Sequence, residues 1–412
     1  MPLAESDPRR GRPAAIGWTR SGNDITQQFM AAAGRPEIIS LAGGLPAAEL
    51  YPVDAIRAAT DRALSRWGSA MLEYGPIEGF PALRELIAAR IAAATGGRFT
   101  AENVLLTTGA MQGLDLLGKA LVDPGDLIVA QFPTYLGALD AWRPRQPRYA
   151  KLAWDGAGAE FDAALAQAKF VYAVPNYSNP TGALVPQAQR SALLRRVLAA
   201  GTWLVEDDPY LPLQLDGAAG PSILAADAAQ RAGASYDGPV VYLGTLSKSI
   251  VPGLRVGWVV AEPGLIRTLT LAKQCSDLSS SMFSQAVAAM LLESDFERRH
   301  IPAIVALYRQ RRDALCAAAA AELGESFEWQ VPPGGMFVWM RAKEPAFDTD
   351  ALYRHAVAEK VVFVPSSVFD PAGALRGAMR VNFTRNPPEV LAEGARRLAR
   401  AVERYRAERR AE

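Results

Sequence analysis

A lysine set directly after a buried strand is the residue in this sequence best suited to covalent chemistry. Among Lys119, Lys151, Lys169, Lys248, Lys273, Lys343 and Lys360, only Lys248 follows such a run, in the segment GTLSKSIVPGLRVGW. Desolvation disfavours the ammonium form, so a lysine there has a lowered pKa and an amine nucleophilic towards an aldehyde. Thr245 and Ser247 add two hydroxyls beside it, and Arg255 adds a guanidinium, whose planar fork suits phosphate. Two hydroxyls, a lysine and an arginine in one turn point to a small molecule that is both an aldehyde and a phosphate ester. The competing reading is a solvated lysine on a surface loop.

Other segments carry further polar groups at strand ends. VEDDPY at 205–210 offers two adjacent carboxylates, Asp207 and Asp208, followed by Tyr210. PNYSNPTG at 175–182 is turn chemistry, with Asn179 ahead of Pro180 and Gly182. TTGAMQG at 107–113 reads as a strand, a glycine and a helix start, and backbone N–H groups at a helix start form an anion site without a basic side chain. FPTY at 132–135 presents the flat face of Tyr135, for which a core role is the alternative. MRVNFT at 379–384 sets Arg380 on a strand, with Arg385 as a nearby competitor. IISLAGGLPAAELYP at 38–52 contains Gly43 and Gly44, which let backbone approach a ligand closely.

The elements that must position these groups form a rhythm. Short apolar, β-rich runs at 104–108, 127–130, 170–174, 203–206, 240–244 and 256–260 alternate with helical segments, which predicts an α/β fold with a largely parallel sheet covered on both faces. Functional residues are expected where these runs end. The last third changes texture: residues 298–323 read as one long amphipathic helix, followed by the turn at 331–335, a strand at 336–340, a helix, a strand and a final Arg-rich helix. A smaller α+β unit is expected there. The first fifty residues show one strand signal, at 38–42, and are expected to form an arm packed against that unit.

Taken together and in this order, the segments resemble those of the fold-type I pyridoxal phosphate (PLP) enzymes, in particular the class I/II aminotransferases, over nearly the whole chain. They are most similar to the branch of 2-aminoadipate and kynurenine aminotransferases and to the enzyme-like domain of MocR regulators. The resemblance implies an aspartate aminotransferase-like α/β fold: an arm and part of the small domain at 1–50, a large PLP-binding domain at 51–297 and a small C-terminal domain at 298–412. Lys248 is implied to carry the Schiff base. Asp207 is implied to face the pyridine nitrogen, with Asp208 as the alternative; an anion within ~4–6 Å raises that nitrogen's pKa, and a protonated ring is the better electron sink.

The same resemblance assigns Tyr210 and Asn179 to the cofactor's 3-oxygen and Tyr135 to its ring. Gly109, Ala110, Met111, Thr245, Ser247 and Arg255 are implied to hold the phosphate. Relatives commonly have Ser and Gln where this chain has Ala110 and Met111, so amides must do more of that work here. Tyr74, in LEYGPIEGF, matches a residue sent across a homodimer interface to the neighbouring phosphate. Arg380 is implied to clamp the substrate's α-carboxylate, and the loop with Gly44 to close over it. Some relatives carry, upstream of that loop, an arginine that answers an acidic side chain; Gln27 stands there, and with Trp18 it is expected to shape the substrate pocket. The implied reaction is amino transfer from an L-amino acid to a 2-oxo acid, 2-oxoglutarate, by a ping-pong route through Lys248. Alternatives are another PLP reaction (β-lyase, racemase or decarboxylase) and a non-catalytic MocR-like effector domain, for which the residues before 38 are too few to supply a winged-helix reader.

Bulk composition agrees with a small-molecule enzyme. Lys plus Arg number 44 against 43 Asp plus Glu, a formal charge of +1, which argues against a surface built for nucleic acid or acidic lipid. Cys275 and Cys316 form no CxxC pair, and His300 and His355 are too few for a histidine metal site or a Ser-His-Asp arrangement. No G-x-G-x-x-G follows a strand, which removes a nicotinamide dehydrogenase. The N-terminal MPLAESDPRRGRPAAIGW has no apolar core, and no run approaches a membrane span; a cytoplasmic protein without metal is expected.

Overall fold

A computed structural model of the chain describes residues 35–155 and 158–411. The first strand, β1 (Ile39–Ser40), is followed by helices α1 (Val53–Trp67) and α2 (Pro81–Thr95). Then come β2 (Val104–Thr107), α3 (Ala110–Leu121), β3 (Leu127–Ala130), α4 (Leu136–Trp142), β4 (Arg148–Lys151), α5 (Ala159–Gln167), β5 (Ala168–Ala173), α6 (Gln187–Ala200), β6 (Trp203–Asp207), α7 (Ile223–Ala228), β7 (Val240–Thr245) and β8 (Gly257–Val260). These strands form one seven-stranded sheet in the order β2-β8-β7-β6-β5-β3-β4.

Both faces of that sheet are dry because its strands alternate between two apolar layers. Phe170 and Tyr172 join the layer under α3 and α4, with Leu114, Leu117 and Trp142. Val171 and Ala173 join the opposite layer, with Leu83 and Ile87 of α2 and Leu193 and Val197 of α6. Each such fully buried aliphatic side chain contributes about 1.5–3 kcal/mol, so runs apolar on both faces are what a doubly covered strand requires.

The sheet departs from the largely parallel expectation at β8, which runs antiparallel to both β2 and β7. The connection 246–256 contains no α-helix, and a parallel return takes a crossover of a dozen or more residues. The chain must therefore turn straight back. That return sets Gly257 beside both Thr107 and Thr245, at the edge where the parallel strands end.

Helices α8 (Pro263–Asp277) and α9 (Met282–Glu293) lead into the long helix α10 (Phe296–Leu323), close to its predicted bounds. A second, four-stranded antiparallel sheet follows, ordered β12-β13-β10-β9, from β9 (Phe327–Glu328), β10 (Phe337–Ala342), β12 (Val364–Pro365) and β13 (Ala378–Asn382). Helix α11 (Thr349–Ala358), strand β11 (Val361–Val362) and helix α12 (Pro388–Ala411) complete this part. β1 pairs with β11 in parallel, so the residues after the arm are tied to it. No helix among the described residues is long and apolar enough to cross a membrane.

Candidate active site

A cavity of about 540 Å³ opens where the parallel strands of the larger sheet end and the smaller sheet faces them. Its lining brings together Lys248, Asp207, Tyr210, Tyr135, Asn179 and Arg380, which lie far apart in the chain. Thr245, Ser247, Arg255, Ala110 and Met111 line it as well, as do Gly43 and Gly44. This is the crevice outside the carboxyl ends of the strands, where open α/β sheets take ligands.

Lys248 leaves β7 and donates through Nζ to the carbonyl of Gly44 at 2.8 Å. It forms no ion pair among the described residues. Burial, with Arg380 and Arg255 adding repulsion, pushes its pKa down to about 8, so the neutral amine is accessible near physiological pH.

Asp207 ends β6. Its Oδ2 accepts from the hydroxyl of Tyr172 at 2.6 Å, and its buried Oδ1 has no partner among the described residues. Burial raises its pKa to about 7, although the Tyr172 hydrogen bond works to lower it. Asp208 is different. It accepts from Asn176 Nδ2 at 3.0 Å and from the Tyr242 hydroxyl at 3.2 Å, and it does not line the cavity. The alternative left open by the sequence thus separates by geometry: a strand alternates its side chains, and only Asp207 points to the cavity side.

Arg380, on β13, is buried between the rings of Phe337 and Phe369, with its guanidinium carbon 4.2 and 5.0 Å from their centroids. It donates to Asn179 Oδ1 at 2.7 Å and to the Ala42 carbonyl at 2.6 Å, while its Nε has no partner among the described residues. Burial lowers its pKa to about 10, leaving it charged at neutral pH. Arg385 lines the same cavity but is exposed.

A polar corner lies at the start of α3. Gly109 precedes that helix with φ of 78°, and a Cβ there would run into the guanidinium of Arg255. Arg255 donates to the Thr108 carbonyl at 3.2 Å, and the Thr245 hydroxyl lies 3.0 Å from Ser247 Oγ. Helix-start amides, two hydroxyls and a guanidinium converge, which is the make-up of an anion site.

The family sequence model described as Aminotransferase class I and II matches residues 36–398. The chain is 36% identical over 376 residues to aromatic-amino-acid aminotransferase 1 of Thermococcus litoralis, covering 89% of this chain and 88% of the relative. It is 37% identical over 373 residues to the 2-aminoadipate transaminase of Thermus thermophilus, covering 89% and 91%. The solved structure of LysN, an α-aminoadipate aminotransferase from Thermus thermophilus, complexed with N-(5'-phosphopyridoxyl)-L-leucine, superposes with a TM-score of 0.84 at 35% identity, over 95% of this chain and 97% of that one. The chain belongs to the class I and II aminotransferases. It is a PLP-dependent transaminase acting on amino acids, with the fold-type I architecture expected from its motifs.

The residues of this aminotransferase fit the cofactor on independent grounds. The free Oδ1 of Asp207 is a buried acceptor waiting for a cationic N–H. Lys248 supplies an amine with no acidic partner among the described residues, and the corner at Gly109 and Arg255 supplies anion donors. Tyr74 lies outside the cavity, 85% exposed, in a separate surface hollow with Ser281 and Phe283. Gln27 and Trp18 lie outside the described residues. Three groups at or behind the cavity escape sequence reasoning: Tyr172, Phe337 and Phe369. All three read as ordinary core residues, because nothing in their local spacing discloses a partner on another strand.

Proposed function

We propose that this aminotransferase transfers the amino group of an L-amino acid to 2-oxoglutarate in two half-reactions that use one site in turn, with Lys248 as the point of covalent attachment for the cofactor. The observation that carries this reading is the pairing, in one cavity, of a partly buried amine with a buried guanidinium, neither having an acidic partner among the described residues. Bound PLP supplies the electron sink that makes the substrate's α-proton labile.

The chain's own residues do the rest. Arg380 holds the α-carboxylate by a charge-assisted pair, a contact worth about 1.5–3 kcal/mol. Once free, the Lys248 amine takes the α-proton and delivers it again, and a pKa near 8 suits both directions. Asp207 keeps a negative charge for the ring nitrogen, Tyr210 and Asn179 serve the 3-oxygen, and Tyr135 offers its face to the ring. Gly109, Ala110 and Met111 give amides to the phosphate, with Thr245, Ser247 and Arg255 as side-chain donors. The loop with Gly44 limits water at the reacting carbon.

For the donor, the relatives named above act on aromatic amino acids and on 2-aminoadipate. Apolar Leu45, Leu136 and Phe337 in the lining favour a large side chain. Arg385 offers a second cation for the far carboxylate of 2-oxoglutarate, a role for which Gln27 lacks the charge. The enzyme is taken as a homodimer with Tyr74 crossing the interface, which the exposed Leu72, Tyr74, Leu278 and Phe283 support. Residues 51–297 and 298–412, the latter with 1–50, are taken as the large and small domains, which the separate sheets support. A cytoplasmic setting agrees with two unpaired cysteines.

The test is a panel of aromatic, branched and dicarboxylic amino donors incubated with 2-oxoglutarate. Stoichiometric glutamate and the matching oxo acid are expected. Release of pyruvate and ammonia from a donor with a β-leaving group, without glutamate, assigns a β-lyase instead.

A further inference from the structure

One buried tyrosine next to the site has no task in the reaction just described. Tyr172 sits near the end of β5, fully buried, and its hydroxyl donates to Asp207 Oδ2 at 2.6 Å. The other oxygen of the same carboxylate has no partner among the described residues. We propose that Tyr172 is a positioning residue for the cofactor: its hydroxyl fixes the rotation of the Asp207 carboxylate and favours its anionic form, so that one oxygen alone is left for the pyridine nitrogen. This rests on the reading of Asp207 given above.

The geometry requires such an anchor. The carboxylate torsion of aspartate is broad and nearly two-fold, so an untethered Asp207 presents either oxygen in a range of tilts. The next backbone amide, of Asp208, is committed to the Leu243 carbonyl in the sheet. Among the described residues, Tyr172 is the one hydrogen-bond donor to this side chain. Asp208, Tyr135, Tyr210 and Tyr242 act on Asp207 only through charge or as neighbours. Asp208 and Tyr242 are bonded to each other.

Tyr172 is itself held. It pairs with Val205 across β5 and β6, and its ring meets the edge of Trp142 at 5.0 Å. The Trp142 indole in turn donates to the Leu114 carbonyl at 2.8 Å. Burial keeps the Tyr172 phenol well above its ordinary pKa, so it remains a donor throughout the working range.

The test uses holoenzyme. Tyr172→Phe keeps the ring that packs on Trp142 and removes the donor. Its dissociation constant for pyridoxal phosphate is expected to rise on the order of 10-fold, the scale of a hydrogen bond to a charged group. With cofactor 15N-labelled at the ring, the nitrogen's chemical shift at one fixed pH is expected to move towards the unprotonated form. In an Asp207→Asn background the same replacement is expected to change affinity by less than about 3-fold, because the charge it holds is gone. Equal losses in both backgrounds overturn the proposal, as does a Tyr172→Phe enzyme with unchanged affinity and unchanged nitrogen shift. Should the Phe variant not accumulate, 3-fluorotyrosine at 172 keeps the packing and strengthens the donor; tighter binding supports the proposal, and no change or weaker binding overturns it. Unchanged cofactor affinity in Asp207→Asn alone removes the underlying reading of Asp207, a result distinct from failure of the Tyr172 step.

Discussion

Glu206 and Asp208 face one side of β6 and Asp207 the other, and the two sides treat a carboxylate in opposite ways. Glu206 accepts the amides of Ile223 and Leu224 at 2.9 and 2.8 Å, closing the start of α7, and Asp208 takes Asn176 and Tyr242. Arg190 reaches the same cluster through Asn176 Oδ1 at 2.6 Å. Every carboxylate oxygen there has a partner inside the protein. Asp207, as deeply buried, keeps an oxygen without a partner among the described residues. A buried polar atom left open costs stability, so it persists where a ligand is meant to complete it. Guanidinium groups repeat the contrast: Arg311 and Arg312 are paired with Glu49 and Asp216, whereas Arg380 and Arg385 have no acidic partner among the described residues.

This contrast can be broken at four points. The largest effect is expected at Lys248, where replacement by Ala lowers turnover about 10⁴-fold or more while the fold is kept, measured by glutamate formation and circular dichroism.

Asp207→Asn comes next, with turnover down about 10²–10³-fold. It also carries a stability signature of opposite sign. The folded pKa of Asp207, about 7, lies above that of an unfolded aspartate, so the native state keeps a proton that the unfolded chain gives up. The resulting cost is absent below about pH 4 and complete above about pH 7, reaching roughly 4 kcal/mol at most. Cofactor-free Asp207→Asn should therefore melt higher than the parent at pH 8 and show a smaller gain at pH 5.

Burial raises the Asp208 pKa as well, to about 6, but Asn176 and Tyr242 already bond both of its oxygens, so in Asp208→Asn the lost hydrogen bonds are expected to outweigh the relief of the buried charge. The replacement leaves buried donors less well satisfied, lowering unfolding free energy by about 1–3 kcal/mol in denaturant titrations, with kcat changed far less than by Asp207→Asn.

Arg385→Gln is expected to show the smallest effect: KM for 2-oxoglutarate up about 5-fold, with less change for a monocarboxylic acceptor such as pyruvate, since an exposed cation contributes about 1 kcal/mol. Equal shifts for both acceptors would remove Arg385 from the account of specificity.

Much of this site was legible because its polar groups sit in short segments at strand ends, each recognisable within a few residues. Lys248, Asp207, Asn179 and the Gly109 turn are of that kind. The reversal of β8 was not visible, since an apolar run carries no direction; only the absence of a helix in 246–256 discloses it. Strand β4 was missed because Arg148–Lys151, at the sheet's edge, is half-exposed and has no apolar run to read. Tyr172 was missed for another reason: its apolar neighbours make it look like core, and its meaning depends on β6 lying alongside β5. The ring pair around Arg380 likewise comes from residues distant in the chain. The role expected of Tyr74 requires a second copy, which no single chain contains.

The most direct measurement is borohydride reduction of the cofactor-saturated protein, followed by digestion and mass mapping of the phosphopyridoxyl group. The group is expected on Lys248, with loss of label in Lys248→Ala. A label distributed over Lys119, Lys273 or other lysines, or no label at all in catalytically active protein, would contradict it.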